Sequence, residues 1–214
     1  MKQSKNDAIF DTIIFCCGVF LSLAEIFKQL LLYFVINEHQ YDWWFFPFHL
    51  CSVPMYLCLL LPWLSPKYKT IVCTFMQDFN LLGAVAALIV SDGFPRTHWY
   101  LLFHAYVWHI LLVFVGFLIL FTGHADKRTR GYVRTLPLFF GCCVIATVIN
   151  LLATGADMFY ISPYHPTTQI VFHQISMKLG IIPGHIIYLL AICLGAYLLH
   201  LLFKKLPKTA KSRP

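Results

Sequence analysis

Six apolar stretches dominate the 214 residues: about 8–36, 43–64, 69–90, 98–122, 133–153 and 181–203. Each is long enough to cross about 30 Å of hydrocarbon as a helix. Backbone N–H and C=O groups in lipid have no water to bond, and a helix satisfies them within one segment. The sequence therefore predicts an all-α, polytopic membrane bundle of six transmembrane helices, forming a single integral membrane domain over 1–214. Charge content agrees: 12% of residues are charged, against roughly 25% in soluble domains. The one long connection, 154–180, carries Met158, Phe159, Tyr160, Ile170, Val171 and Phe172. It is expected to fold back on the bundle or to lie at the interface. No internal repeat, low-complexity segment or second domain is visible.

The formal net charge is +7. No basic groove or domain accompanies it, which excludes nucleic-acid binding as the reading. The charge marks orientation instead. Lys2 and Lys5 precede the first stretch, Lys67 and Lys69 join the second to the third, and Lys127, Arg128, Arg130 and Arg134 join the fourth to the fifth. Lys204, Lys205, Lys208, Lys211 and Arg213 follow the last, while the alternate links hold only Arg96 and Lys178. Basic links favour the cytoplasm, so both termini are expected there. Trp43, Trp44 and Trp99 then fall at outer ends and Trp63 at an inner end, as interfacial belts do. The N-terminal run lacks a small-x-small cleavage site and is too long for a signal-peptide core, so it is expected to remain as the first span.

Eight cysteines (16, 17, 51, 58, 73, 142, 143 and 193) all lie in apolar stretches, and no CxxC occurs. Neither a zinc ribbon nor a redox pair is signalled. Most read as small packing residues, and the adjacent pairs point to different helix faces. Cys51 differs in position: it ends Pro47-Phe48-His49-Leu50-Cys51, with an imidazole two residues away at bilayer depth. Ionisable groups there are costly and usually functional, and Cys with His is the pairing that makes a thiolate nucleophile. Pro47 is expected to mark the helix start. Residues i and i+2 do not share a helix face, so His104 on the fourth helix, at matching depth, is an alternative base.

The remaining polar groups are placed by the same orientation. Glu25, Asn150 and His185 fall in the outer half, Asp78 and Asn80 near the middle of the third helix, and Asp157, His165 and His173 in the long outer loop. The inner half is expected to be almost wholly apolar. His104 and His109 are five apart, a poor match to one helical face and to HExxH, so no metal is implied; His109 reads as a packing histidine. Glu25 and Lys28, at i,i+3, are expected to neutralise each other. Met158-Phe159-Tyr160 reads as interfacial packing.

His49-Leu50-Cys51, then His104, then Asn150…Gly155-Ala156-Asp157-Met158-Phe159-Tyr160…Pro163 resembles the YwaF-like integral membrane proteins of bacteria, whose eukaryotic relatives are the transmembrane protein 164 group. The resemblance runs from about Glu25 to Pro163. Two departures stand out. The family usually carries Asn-Tyr in the run where this chain reads Ala156-Asp157-Met158-Phe159-Tyr160, and many relatives have one further helix at the start, so six spans rather than seven are expected. The resemblance implies cysteine-dependent acyl transfer on glycerophospholipids, with Cys51 as nucleophile and His49 and His104 as the acid/base candidates.

The functional expectation is a membrane thiol acyltransferase or lipid hydrolase, with a polar cavity toward the outer leaflet of a bacterial plasma membrane. Its partners would be phospholipids and lyso-phospholipids, with no metal or organic cofactor. Asn80, Asn150 or Tyr160 would serve the oxyanion, and Glu25 and Asp157 complete the substrate-binding set. The alternatives are a small-molecule transporter or ligand-binding protein with a non-catalytic polar cavity, and a structural subunit of a larger complex. No inverted repeat and no GxxxG motif supports either.

Overall fold

A computed structural model describes residues 5–206. Lys2, Lys208, Lys211 and Arg213, which entered the charge count, lie outside the described residues. Those residues form an all-helical bundle. Five helices are long and apolar enough to cross a membrane: α1 (Lys5–Ile36), α3 (Pro66–Ile89), α4 (Trp99–Thr122), α5 (Thr129–Leu152) and α7 (Ile181–Lys204). Between them lie the shorter apolar α2 (Val53–Trp63) and α6 (Ile170–Leu179).

The second stretch departs from expectation. One 3-10 turn spans Trp43–Phe45, and the continuous helix runs only over Val53–Trp63, not from 43 or from Pro47. Prolines explain the delay. An α-helix through this region would aim the Trp43 and Leu50 carbonyls at the N–H groups of residues 47 and 54, and both are proline, which has none. Phe46, directly before Pro47, is extended with ψ 132°, as the residue before proline is steered to be. Residues 42–52 therefore form an irregular strap leading into α2.

The third helix is interrupted as well. Met76–Asn80 winds as a π-turn inside α3, the kind of local widening that recurs at functional positions. Around it sits the aromatic core. Phe75 stacks on Phe79 at 5.1 Å, and Phe79 stacks on Phe139 of α5 at 4.8 Å. Phe159 from the long connection lies 6.3 Å from Phe139. Phe75, Phe79, Phe139 and Phe159 are all fully buried. The 154–180 connection thus folds back onto the bundle, and α6 packs along α7.

Helix α1 approaches α2 closely at Gly18, where a Cβ would lie 2.9 Å from both Cys58 Cβ and the Leu59 backbone nitrogen. Trp63 and Trp99 are 72% and 79% exposed, so they meet whatever surrounds the bundle, as belt residues would. Trp44 instead faces inward onto the strap.

The half that holds the termini is not wholly apolar, contrary to expectation. Asp11 accepts from Lys69 Nζ at 2.6 Å. Deeper in the bundle, Asp78 Oδ2 lies 2.7 Å from His200 Nδ1, both side chains fully buried. His200 Nε2 is 3.0 Å from the Arg128 carbonyl, and Gln77 donates to Asp78 Oδ1 at 3.1 Å. Charged groups reach this depth because each finds a partner; a lone buried charge would be excluded.

Candidate functional site

Beyond the short turn at Trp43–Phe45, which occupies the Asp42 and Trp43 carbonyls, the strap has no regular structure to occupy its carbonyls, so other elements supply donors. Gln29 of α1 donates to the Phe45 carbonyl at 2.6 Å. Tyr56 of α2 donates its hydroxyl to Pro47 at 2.9 Å. Asn80, in the π-turn of α3, donates to Leu50 at 2.7 Å. Trp108 of α4 donates its indole N–H to Cys51 at 2.9 Å. His49 Nε2 lies 3.4 Å from the Trp44 carbonyl, and the His49 carbonyl accepts from Ser52 and Val53. Irregular backbone at membrane depth is tolerated only when enclosed and bonded in this way. Four helices therefore converge on one short segment that contains His49 and Cys51.

Each residue singled out from the sequence can now be placed. Cys51 is half-buried and packs in the cluster of Leu21, Met55, Ala84, Trp108 and Leu112. His104 stacks on Trp108 at 5.2 Å, so the indole links the ring of His104 to the backbone of Cys51. His49, within the strap, lies 5.0 Å from the Tyr160 ring, with Trp44 5.9 Å away. Glu25 pairs with Lys28 at 2.8 Å, as expected, and also accepts from Gln29 at 2.7 Å. Its carboxylate thereby orients the amide that holds Phe45.

Asn150 and Asp157 act one step back. Asn150 accepts from Met158 N at 2.6 Å and donates to Met158 O at 3.0 Å, so both ends of its amide anchor the loop. Asp157 is fully buried and accepts from Ser162 N at 3.0 Å. Burial pushes its carboxyl above the usual range, with the Ser162 N–H and His165 pulling the other way. These clamps hold Phe159 and Tyr160 in left-handed backbone, at φ 57° and 58°, a conformation costing about 1–3 kcal/mol for each non-glycine residue. The cost is offset by seating Phe159 in the core and Tyr160 against His49. Gln169 hydrogen-bonds the Tyr160 side chain, and burial raises the phenol.

Among the described residues, several buried polar atoms here have no hydrogen-bond partner: His49 Nδ1, His104 Nε2, Asn80 Oδ1 and Asp157 Oδ2. Native interiors rarely leave such groups unpaired, and those that are call for an explanation. Two of the four are imidazole nitrogens, one within the strap that carries the thiol and one on α4 beside it. His109, by contrast, is satisfied by the Ala105 carbonyl at 2.7 Å and stacks on Phe94 at 4.9 Å, the packing role expected of it. No group of three or more His, Cys, Asp or Glu suited to a metal occurs among the described residues.

A concavity of about 470 Å³ lies at the opposite end of the bundle, lined by residues of the 67–74 and 123–134 segments. Sequence reasoning also missed Gln29, Tyr56 and Trp108 as holders of the strap, together with the Asp78–His200 pair. Trp108 carried a signal, sitting one turn beyond His104; the long-range partner of Asp78 carried none.

Fold and site define an integral, multi-pass helical membrane protein with an irregular cysteine-bearing segment gripped between helices. The chain belongs to the TMEM164 family, whose family model matches residues 1–202. No curated protein and no solved structure gives a match.

Proposed function

We propose that the protein is a membrane thiol acyltransferase or lipid hydrolase acting on glycerophospholipid acyl esters through Cys51. The thiol would lose its proton to His49 or His104, and its sulfur would add to the ester carbonyl. Collapse of the tetrahedral intermediate would break the acyl C–O bond. The imidazolium would return the proton to the departing lyso-phospholipid, leaving a thioester on Cys51. A lyso-lipid hydroxyl or a water would then attack the thioester, giving transfer or hydrolysis. Tyr160, or the second N–H of the Asn80 amide, would donate to the oxyanion. The charge alternation supports an arrangement in which this end of the bundle faces the outer leaflet of the plasma membrane.

One observation carries the reading: two half-buried imidazoles have buried, unpartnered nitrogens, His49 Nδ1 within the strap that presents Cys51 and His104 Nε2 on the helix packed against it. The test is intact-protein mass spectrometry after incubation with mixed phospholipids. The expected result is a hydroxylamine-labile gain of one acyl chain on the wild type that is absent from Cys51→Ala. If no adduct forms and Cys51 ignores a lipid-like electrophile in the native membrane, the proposal is wrong and a non-catalytic ligand-binding or transport role takes its place.

A further inference from the structure

The concavity at the terminal end is built from three pieces. Lys67, Thr70, Ile71 and Thr74 come from the start of α3, the 123–128 link crosses beside them, and Gly131 and Arg134 come from the start of α5. Its walls are fixed by the fold. Gly123 ends α4 in left-handed backbone at φ 72°. His124 stacks on Phe10 of α1 at 3.6 Å. Thr74 Oγ1 accepts from Asp126 N at 2.9 Å, which ties the link to α3. A side chain at Gly131 would collide with the Asp126 backbone and close the floor.

The charges of this pocket do not balance. Lys67, Arg128 and Arg134 face one carboxylate, Asp126. That carboxylate is already taken by Arg128, with both guanidinium contacts at 2.8 Å. Among the described residues no carboxylate lies within ion-pair distance of Lys67 or Arg134. Lys67, whose Nζ lies 5.6 Å from the Tyr68 ring, and Arg134, which shares the field of Asp126 with Arg128, therefore line a concavity of about 470 Å³ without an ion pair of their own among the described residues, within the size range of small-ligand sites. Exposed Trp63 and Tyr68 lie beside it in the chain. Basic pockets between membrane helices near such a boundary suit anionic headgroups.

We propose that this pocket binds a phosphorylated anion, with Lys67 and Arg134 as its charge partners. An acidic lipid headgroup and a free phosphate share that chemistry. The site is separate from the cysteine strap and independent of what the strap does.

The experiment uses the full chain reconstituted in vesicles of phosphatidylcholine with phosphatidylglycerol, then native mass spectrometry of retained lipid, alongside melting with added inorganic phosphate. Selective retention of phosphatidylglycerol, weakened about fivefold by Lys67→Gln and roughly thirtyfold by the Lys67→Gln/Arg134→Gln pair, supports a lipid occupant. A rise in melting temperature with phosphate, lost in the same variants, supports a soluble one. Arg134→Lys is expected to keep most binding, and Cys51→Ala all of it. Equal retention of both lipids with no effect of phosphate overturns the proposal. So does binding unchanged in Lys67→Gln and in the pair.

Discussion

Replacing Asn80 by alanine removes the donor that holds the Leu50 carbonyl at 2.7 Å. An orphaned buried carbonyl costs about 1–3 kcal/mol. Part of that is returned, because Asn80 Oδ1 is itself buried without a partner and leaves with the side chain. The net effect on the closed strap is expected near 1.4 kcal/mol, about a tenfold rise in its open population. Cys51 reports that opening. Its maleimide labelling in the intact protein, followed by peptide mapping to separate it from exposed Cys16, is expected to speed up about tenfold. Trp108→Phe frees the neighbouring Cys51 carbonyl and acts in the same direction. The two carbonyls belong to one segment, so once the strap is open the second loss adds little. The double variant is expected to fall short of the sum by about 1 kcal/mol, within the coupling seen between residues of one network. Unchanged Cys51 labelling in Asn80→Ala, or strict additivity of the pair, would refute the view of the strap as a unit held by side-chain donors.

Breaking the Asp78–His200 pair with His200→Leu is expected to destabilise the protein by about 3–5 kcal/mol, since it strands a buried charge; Asp78→Leu/His200→Leu should recover much of the loss, as measured by thermal melting in detergent. Gly18→Ala forces a Cβ to within 2.9 Å of Cys58 Cβ and the Leu59 nitrogen and is expected to cost about 1–3 kcal/mol as overpacking, whereas Gly141→Ala, with open space around it, should melt like wild type. Asp157 predicts a pH signature. Burial raises its folded-state pKa, so between the ordinary aspartate value of about 3.9 and that raised value the folded state holds a proton the unfolded state has released. Its contribution therefore favours folding below that window and is lost as pH rises through it. Asp157→Asn keeps an acceptor for Ser162 N and should flatten that part of the melting-versus-pH profile; an identical slope in the variant would count against the assignment.

Hydropathy and charge made the bundle legible, because helix length against bilayer thickness is a property of local sequence. The failure at 43–64 has a local cause too: Pro47 and Pro54 were visible, but their meaning appears only when each is matched to the carbonyl four residues earlier that it leaves without a donor. The strap's actual donors were out of reach. Gln29, Asn80 and Trp108 lie on three other helices, and which face each turns inward depends on helix rotation. The same limit hid His200, which sits in an apolar run with nothing nearby to mark it, until α7 is laid against the π-turn of α3. For Asn150, its depth was inferable, but its role as a loop anchor required knowing where Met158 returns.

The π-turn at Met76–Asn80 gives α3 one place where it can lose a residue without losing phase. A π-turn takes up one residue more than an α-turn in about the same rotation, so deleting one residue within it would restore regular winding and leave both flanks facing as they do now. The same deletion further along, in the regular winding of Leu81–Ile89, would swing everything after it by about 100°. What the shortened turn would disturb is its own side chains: Asp78 against His200 and Asn80 against the Leu50 carbonyl. In this helix the extra residue sets local aim, while register elsewhere is set by the number of residues.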